Sequence, residues 1–126
     1  MKEEIIASDA PESIGCYSQA VKSHGVVYLS GQIPLDPDTM TIVEGGIESQ
    51  VKQVFENLVE VAKSSNGHLN NILKLTVFLT DIAYIQCVNE IMPAFFEKPY
   101  PARTSIQVAA LPRGALIEVD AIMSSI

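Results

Sequence analysis

The sequence predicts an α+β domain: a mixed β-sheet with two helices packed on one of its faces. Two observations predict it. Apolar segments follow the order strands, helix, strand, helix, strands. One repeats at three- and four-residue steps and another follows a capping Asp81, which gives two helices to cover one sheet face and leaves the other face open. The 126 residues suit one domain spanning 1–126, and 48% hydrophobic against 18% charged residues supplies a core.

Residues 4–7 read as a short first strand. Residues 8–13 form a polar loop, and Pro11 ends regular structure there. Gly15 permits a tight bend before Tyr17. Strands over 17–23 and 26–30 are joined at His24-Gly25, a hairpin turn by composition. Gly31 leaves the second of these and suits a bulge or a close approach by a ligand. Residues 36–39, Asp-Pro-Asp-Thr, read as a turn.

Gly45-Gly46 precedes the clearest helix, in which Ile47, Val51, Val54, Phe55, Leu58, Val61 and Ala62 form one apolar stripe. Asn66-Gly67 stops it. Residues 71–80 read as the strongest strand, with Leu73, Leu75, Val77 and Leu79 on one face and Lys74, Thr76 and Phe78 on the other. Asp81 can cap a second helix over 83–97, with a break expected near Met92 because Pro93 follows. Residues 97–101 read as extended.

Residues 99–108 and 115–122 read as two strands with a turn at 111–114. Chain adjacency suggests that they pair as a hairpin, with the strand order left open. Each carries charge in its middle. Alternation puts Arg103, Ser105 and Gln107 on one face of the first, and Glu118 and Asp120 on one face of the second. A charge inside such a strand needs a partner or a task. The structural reading is an ion pair between Arg103 and Glu118 or Asp120, or a solvated face. The functional reading is a guanidinium fork for a carboxylate and a carboxyl tuned to move a proton.

Composition excludes several classes. A formal net charge of −7 opposes nucleic-acid binding, which needs Lys and Arg against phosphates. No apolar run approaches the roughly 20 residues that cross a membrane. The first six residues lack a signal-peptide apolar region, and Cys16 and Cys87 make no disulfide framework, so a cytoplasmic protein with free thiols is the expectation. His24 and His68 sit in no ligand-spaced cluster, and Gly45-Gly46 has no phosphate-loop context, so neither a metal nor a cofactor is expected.

Three motifs carry a family resemblance. Ile14-Gly15-Cys16-Tyr17-Ser18-Gln19-Ala20, then Leu29-Ser30-Gly31-Gln32-Ile33-Pro34, then Pro101-Ala102-Arg103 with Val108-Ala109-Ala110-Leu111-Pro112 and Ile117-Glu118, resemble the signatures of the Rid family of reactive-intermediate deaminases (YjgF/UK114). The resemblance runs from about residue 5 to residue 123. It implies a chorismate mutase-like fold, in which a crossover can place another strand between the last two, a homotrimer with a central barrel, and clefts between subunits. It implies a 2-iminobutanoate/2-iminopropanoate deaminase, which hydrolyses 2-imino acids released by pyridoxal-phosphate enzymes to 2-keto acids and ammonia. On the family pattern Arg103 holds the substrate carboxylate, Glu118 handles the proton or orients water, and Tyr17 lines the pocket. The backbone amide of Ser105 and the backbone of Gly31 contact substrate, and Asn89 reaches the cleft, although a surface helix Asn reads equally well. Cys16 departs from the family's usual Pro. The alternative class is a non-catalytic trimeric module binding small carboxylates or acting as a regulator. A translation inhibitor or endoribonuclease is the least favoured, given the acidic balance.

Overall fold

The computed structural model describes residues 1–125. Six strands form one sheet: β1 (Glu3–Ile5), β2 (Ala20–Ser23), β3 (Val26–Gln32), β4 (Ile72–Leu79), β5 (Ala102–Gln107) and β6 (Ile117–Ser124). Their order is β1-β2-β3-β6-β4-β5, and β4–β5 is the parallel pair in an otherwise antiparallel sheet. Helices α1 (Gly46–Ser64) and α2 (Ile85–Ile91) complete the α+β arrangement. Among the described residues no helix is long and apolar enough to cross a membrane.

Local sequence explains most boundaries. His24 and Gly25 both take positive φ, at 51° and 77°, the backbone that a two-residue hairpin turn needs. At the end of α1, Asn66 takes the left-handed conformation; its amide donates to Lys63 O and that of Gly67 to Ala62 O, closing the helix's last carbonyls. Asp81 caps the turn Ile82–Tyr84 through the Ala83 amide. The apolar stripe of α1 is buried at Val51, Val54, Phe55, Leu58, Val61 and Ala62, against Leu75, Val77 and Leu79 of β4 and Ile117, Val119 and Met123 of β6 in one core. Phe55 meets Phe95 and Phe96 with ring centroids 5.4 and 5.5 Å away, within the range where aromatic pairs attract.

Several expectations need correction. β2 begins at Ala20, so Tyr17 lies in a loop, whose Ile14 amide donates to the Tyr17 hydroxyl at 3.2 Å. Leu73 is 54% exposed while Ile72 is buried, because the pairing with β6 slips between Ile72 and Lys74 and turns Leu73 outward. The second helix is shorter than 83–97: α2 ends at Ile91 and tightens into the 3₁₀ turn Met92–Ala94, where Pro93 supplies no amide. The chain bends at Lys98 and Pro99, so residues 97–101 are not simply extended. The last two strands make no hairpin. β4 lies between them, antiparallel to β6 and parallel to β5.

The side of the sheet away from the helices stays open. Register places Tyr28, Ile122 and Lys74 in one row, Asp120, Thr76 and Thr104 in the next, and Glu118, Phe78 and Ile106 beyond them. Tyr28, Ile106 and Ile122 are exposed there.

Candidate active site

Glu118 sits on the open face near the start of β6, opposite Phe78. On its other side β3 bulges between Leu29 and Gln32, and Gly31 lies inside that bulge. A Cβ at Gly31 would overlap the Glu118 carboxyl group, coming within 2.9 Å of its Cδ and closer still to Oε2. A side chain at this position would have to push the Glu118 carboxyl aside, so the glycine gives room rather than turn geometry. Tyr17, Gly31 and Glu118 line one cleft of about 460 Å³, together with Gln19, Ser30 and Arg113.

Buried hydrogen bonds build the floor of that cleft. Gln19 is buried; its Oε1 accepts from the Ala7 amide at 2.7 Å, and its Nε2 donates to Pro11 O at 2.7 Å and Ala7 O at 3.0 Å. Ser30 Oγ donates to Ser18 O at 2.6 Å, tying β3 to the loop that carries Tyr17. Burial raises the pKa of Glu118 above the ordinary glutamate value, and the Asp120 charge on the same face adds to the rise. Such a carboxyl holds its proton longer than an exposed one as pH rises, which suits it to pass a proton to a reacting group.

Arg103 is elsewhere. It pairs in register with buried Leu75, so its side chain points to the helix side of the sheet, away from the open face of Glu118. Its Nη1 lies 3.2 Å from Met92 Sδ, and among the described residues it meets no carboxylate; the ion pairs there are Lys52–Glu48 and Lys63–Glu60. The structural alternative, an ion pair between Arg103 and Glu118 or Asp120, does not form, because the two strands present these charges on opposite faces. Arg103 instead lines a groove of about 410 Å³ with Asn89, Met92 and Tyr100, and exposed Asn89 reaches it from α2.

Ser105 lies two residues beyond Arg103 on the same face, with its Oγ buried and unpartnered among the described residues. Two residues apart, strand amides point the same way. Since the Val108 amide donates to Leu79 O, the amides of Arg103, Ser105 and Gln107 face the free edge of the sheet. A guanidinium fork and outward amides along one edge can hold a carboxylate. Among the described residues no group of three or more His, Cys, Asp or Glu side chains comes together as a metal site.

The six sequence-predicted residues thus divide. Tyr17, Gly31 and Glu118 meet in one cleft; Arg103 and Asn89 meet in the other, with Ser105 beside them on β5. Within one chain no small ligand touches both groups, because β4 separates them and the side chains leave opposite faces. Sequence reasoning missed Gln19 and Ser30 as builders of the cleft, although both fall inside the quoted motifs. Their bonds span about a dozen residues and leave no local periodicity. It also missed Arg113 and Tyr100 as lining residues, for which no pattern gave a signal.

Comparison with known proteins gives these features a context. The family model described as Endoribonuclease L-PSP matches residues 7–124. The mouse 2-iminobutanoate/2-iminopropanoate deaminase is 43% identical over 122 residues, covering 97% of this chain and 90% of that protein. The crystal structure of RidA from an Antarctic Psychrobacter superposes with a TM-score of 0.93 at 43% identity, covering 97% of this chain and 98% of that one. The structure of E. coli TdcF with bound serine gives a TM-score of 0.92 at 33% identity over 98% of this chain and 99% of that one. With the motifs, the sheet order and near-complete coverage in agreement, the chain belongs to the Rid family.

Proposed function

We propose that the protein is a deaminase that hydrolyses 2-imino acids, the class including 2-iminobutanoate and 2-iminopropanoate, to 2-keto acids and ammonia. The observation that carries this reading is the Glu118 carboxyl, raised in pKa by burial and lying over Gly31 in a cleft with Tyr17. Support comes from the 43% identical mouse protein that bears this activity as its name.

The substrate carboxylate binds Arg103 as a bidentate pair, with the outward Ser105 amide and Asn89 beside it. Water attacks the imine carbon, adding its oxygen there while a proton passes through Glu118 to the nitrogen. The resulting carbinolamine collapses: Glu118 takes the hydroxyl proton and passes it to the nitrogen as the C–N bond breaks, so the carbonyl forms and ammonia leaves. Positioning and proton transfer supply the acceleration, and no step calls on a cofactor. Because Arg103 and Glu118 leave opposite faces of one sheet, the working site takes Arg103 from one chain and Glu118 with Tyr17 from the next. We place it in a homotrimer whose open sheet faces, with exposed Tyr28, Ile106 and Ile122, form the shared centre.

The test is keto-acid and ammonia release from imines generated in situ by an amino-acid oxidase. The wild type accelerates hydrolysis, whereas Arg103→Ala and Glu118→Ala lose it by roughly two orders of magnitude or more, the scale of a lost proton-transfer group. Undiminished hydrolysis by Arg103→Ala sinks the assignment of roles. A second reading, a carboxylate-binding module without turnover, draws on the serine held in E. coli TdcF. It becomes the leading account if the folded wild type binds keto acids and hydrolyses nothing.

A further inference from the structure

Two lips border the Glu118 cleft, and one side chain joins them. The first lip is the arm that leaves β3 through Ile33, Pro34 and Leu35. It doubles back at a turn closed by the Asp36 amide on Thr41 O, 2.9 Å, and the Met40 amide on Asp36 O, 2.7 Å. Leu35 bridges Ile42 across it. From behind, Asn57 of α1 donates to Leu35 O at 3.0 Å and Ile33 O at 3.4 Å, so the root of the arm is pinned to a helix. The second lip is the 3₁₀ turn Pro112–Gly114, three residues before Glu118's strand begins. Arg113 on that turn donates from Nη1 to Met40 O at 2.7 Å, across 73 residues of chain.

Both partners of this bond are unusual. Met40 and Arg113 take left-handed backbone, φ 57° and 58°, which side chains other than glycine rarely adopt. Such conformations persist where surrounding contacts over-determine them, often beside ligand sites. Arg113 lines the cleft with Glu118, Ile33, Leu35 and Pro112.

We propose that Arg113 is a specificity-determining residue: its bond to Met40 latches the two lips together and so keeps them in place for ligands with longer apolar side chains. This rests on the deaminase reading of the cleft. A short ligand does not reach the lips, so its affinity is indifferent to the latch. A ligand with a longer apolar side chain rests against them, so without the latch its binding must first order them.

The test uses the whole chain and the product keto acids as binding probes, with turnover measured alongside. Calorimetry compares pyruvate with 4-methyl-2-oxopentanoate on wild type, Arg113→Gly and Arg113→Lys. Glycine removes the latch and adopts the left-handed backbone freely, so it leaves the melting temperature intact. The expected result is that Arg113→Gly weakens 4-methyl-2-oxopentanoate by roughly threefold to tenfold, the scale of one ordinary hydrogen bond, and pyruvate by less than twofold. Arg113→Lys, which can still donate to Met40 O, recovers most of the loss. In turnover the same split falls on KM rather than kcat. Equal effects on both ligands, no effect on either, or weakening that tracks loss of folding overturns the proposal. If the wild type binds keto acids without hydrolysing imines, the deaminase reading fails and the latch is still decided by the binding ratio. If it binds neither, both fail.

Discussion

The Glu118 cleft and the Arg103 groove belong to one sheet, with β4 between their strands, yet they are built differently. The cleft is enclosed from within the chain: Gln19, Ser30 and the β3 bulge fix its floor through buried bonds, and Gly31 yields the space that the carboxyl fills. The groove lies on an edge strand, with outward amides and a guanidinium whose one polar side-chain partner among the described residues is a methionine sulfur. A proton-carrying group is costly to bury and needs a prepared setting, whereas an edge keeps its donors free until another chain or a ligand arrives. The contrast is the one the proposed shared site requires, with one half completed by folding and the other by association.

The sharpest way to break this contrast inside one chain is Gly31→Ala. The new Cβ displaces the Glu118 carboxyl, and activity falls by roughly a hundredfold while the Arg103 groove still binds keto acid. Near-normal turnover in that variant would show that the carboxyl needs no fixed seat.

Glu118→Gln probes the same seat through stability. The folded protein holds the Glu118 proton more tightly than the unfolded chain does, so this group favours folding below its ordinary pKa and loses that contribution as pH rises through the raised value. Glutamine, never charged, escapes the loss. The melting temperature of Glu118→Gln therefore exceeds that of the wild type at neutral pH, and the gap closes toward pH 4, near the ordinary glutamate value. A gap independent of pH would remove the raised pKa from the account.

The smallest effect is expected in the groove. Ser105 Oγ is buried without a partner, so Ser105→Ala is neutral or stabilises by about 1 kcal/mol in denaturant titration. Activity persists, because the amide rather than the hydroxyl faces the edge. Loss of turnover at unchanged stability would assign the hydroxyl a role.

The legible parts of the molecule were those fixed by local pattern. The α1 stripe, the His24-Gly25 turn and the alternation around Val119 each follow from a few neighbouring residues. The relation between Arg103 and Glu118 was not legible. Each strand shows its own alternation, but whether two faces coincide depends on register across β4, a non-local fact. Leu73 failed for the same reason, since a slip in pairing leaves no mark in apolar spacing. Tyr17 resembled a strand residue by composition, yet the Gln19 side chain and the Tyr17 hydroxyl hold its segment as a loop through side-chain bonds that period-two counting cannot see.

The central claim is that catalysis takes Arg103 from one chain and Glu118 from another. The most direct measurement mixes two inactive variants, Arg103→Ala and Glu118→Gln, by co-unfolding and refolding at equal amounts. In a closed symmetric assembly with random mixing, about a quarter of the sites pair an intact Arg103 with an intact Glu118, so about a quarter of wild-type activity returns. Refolding each variant alone restores none. If the mixed assemblies form and remain as inactive as their parents, each site draws both groups from a single chain, and the division of the site between chains is wrong.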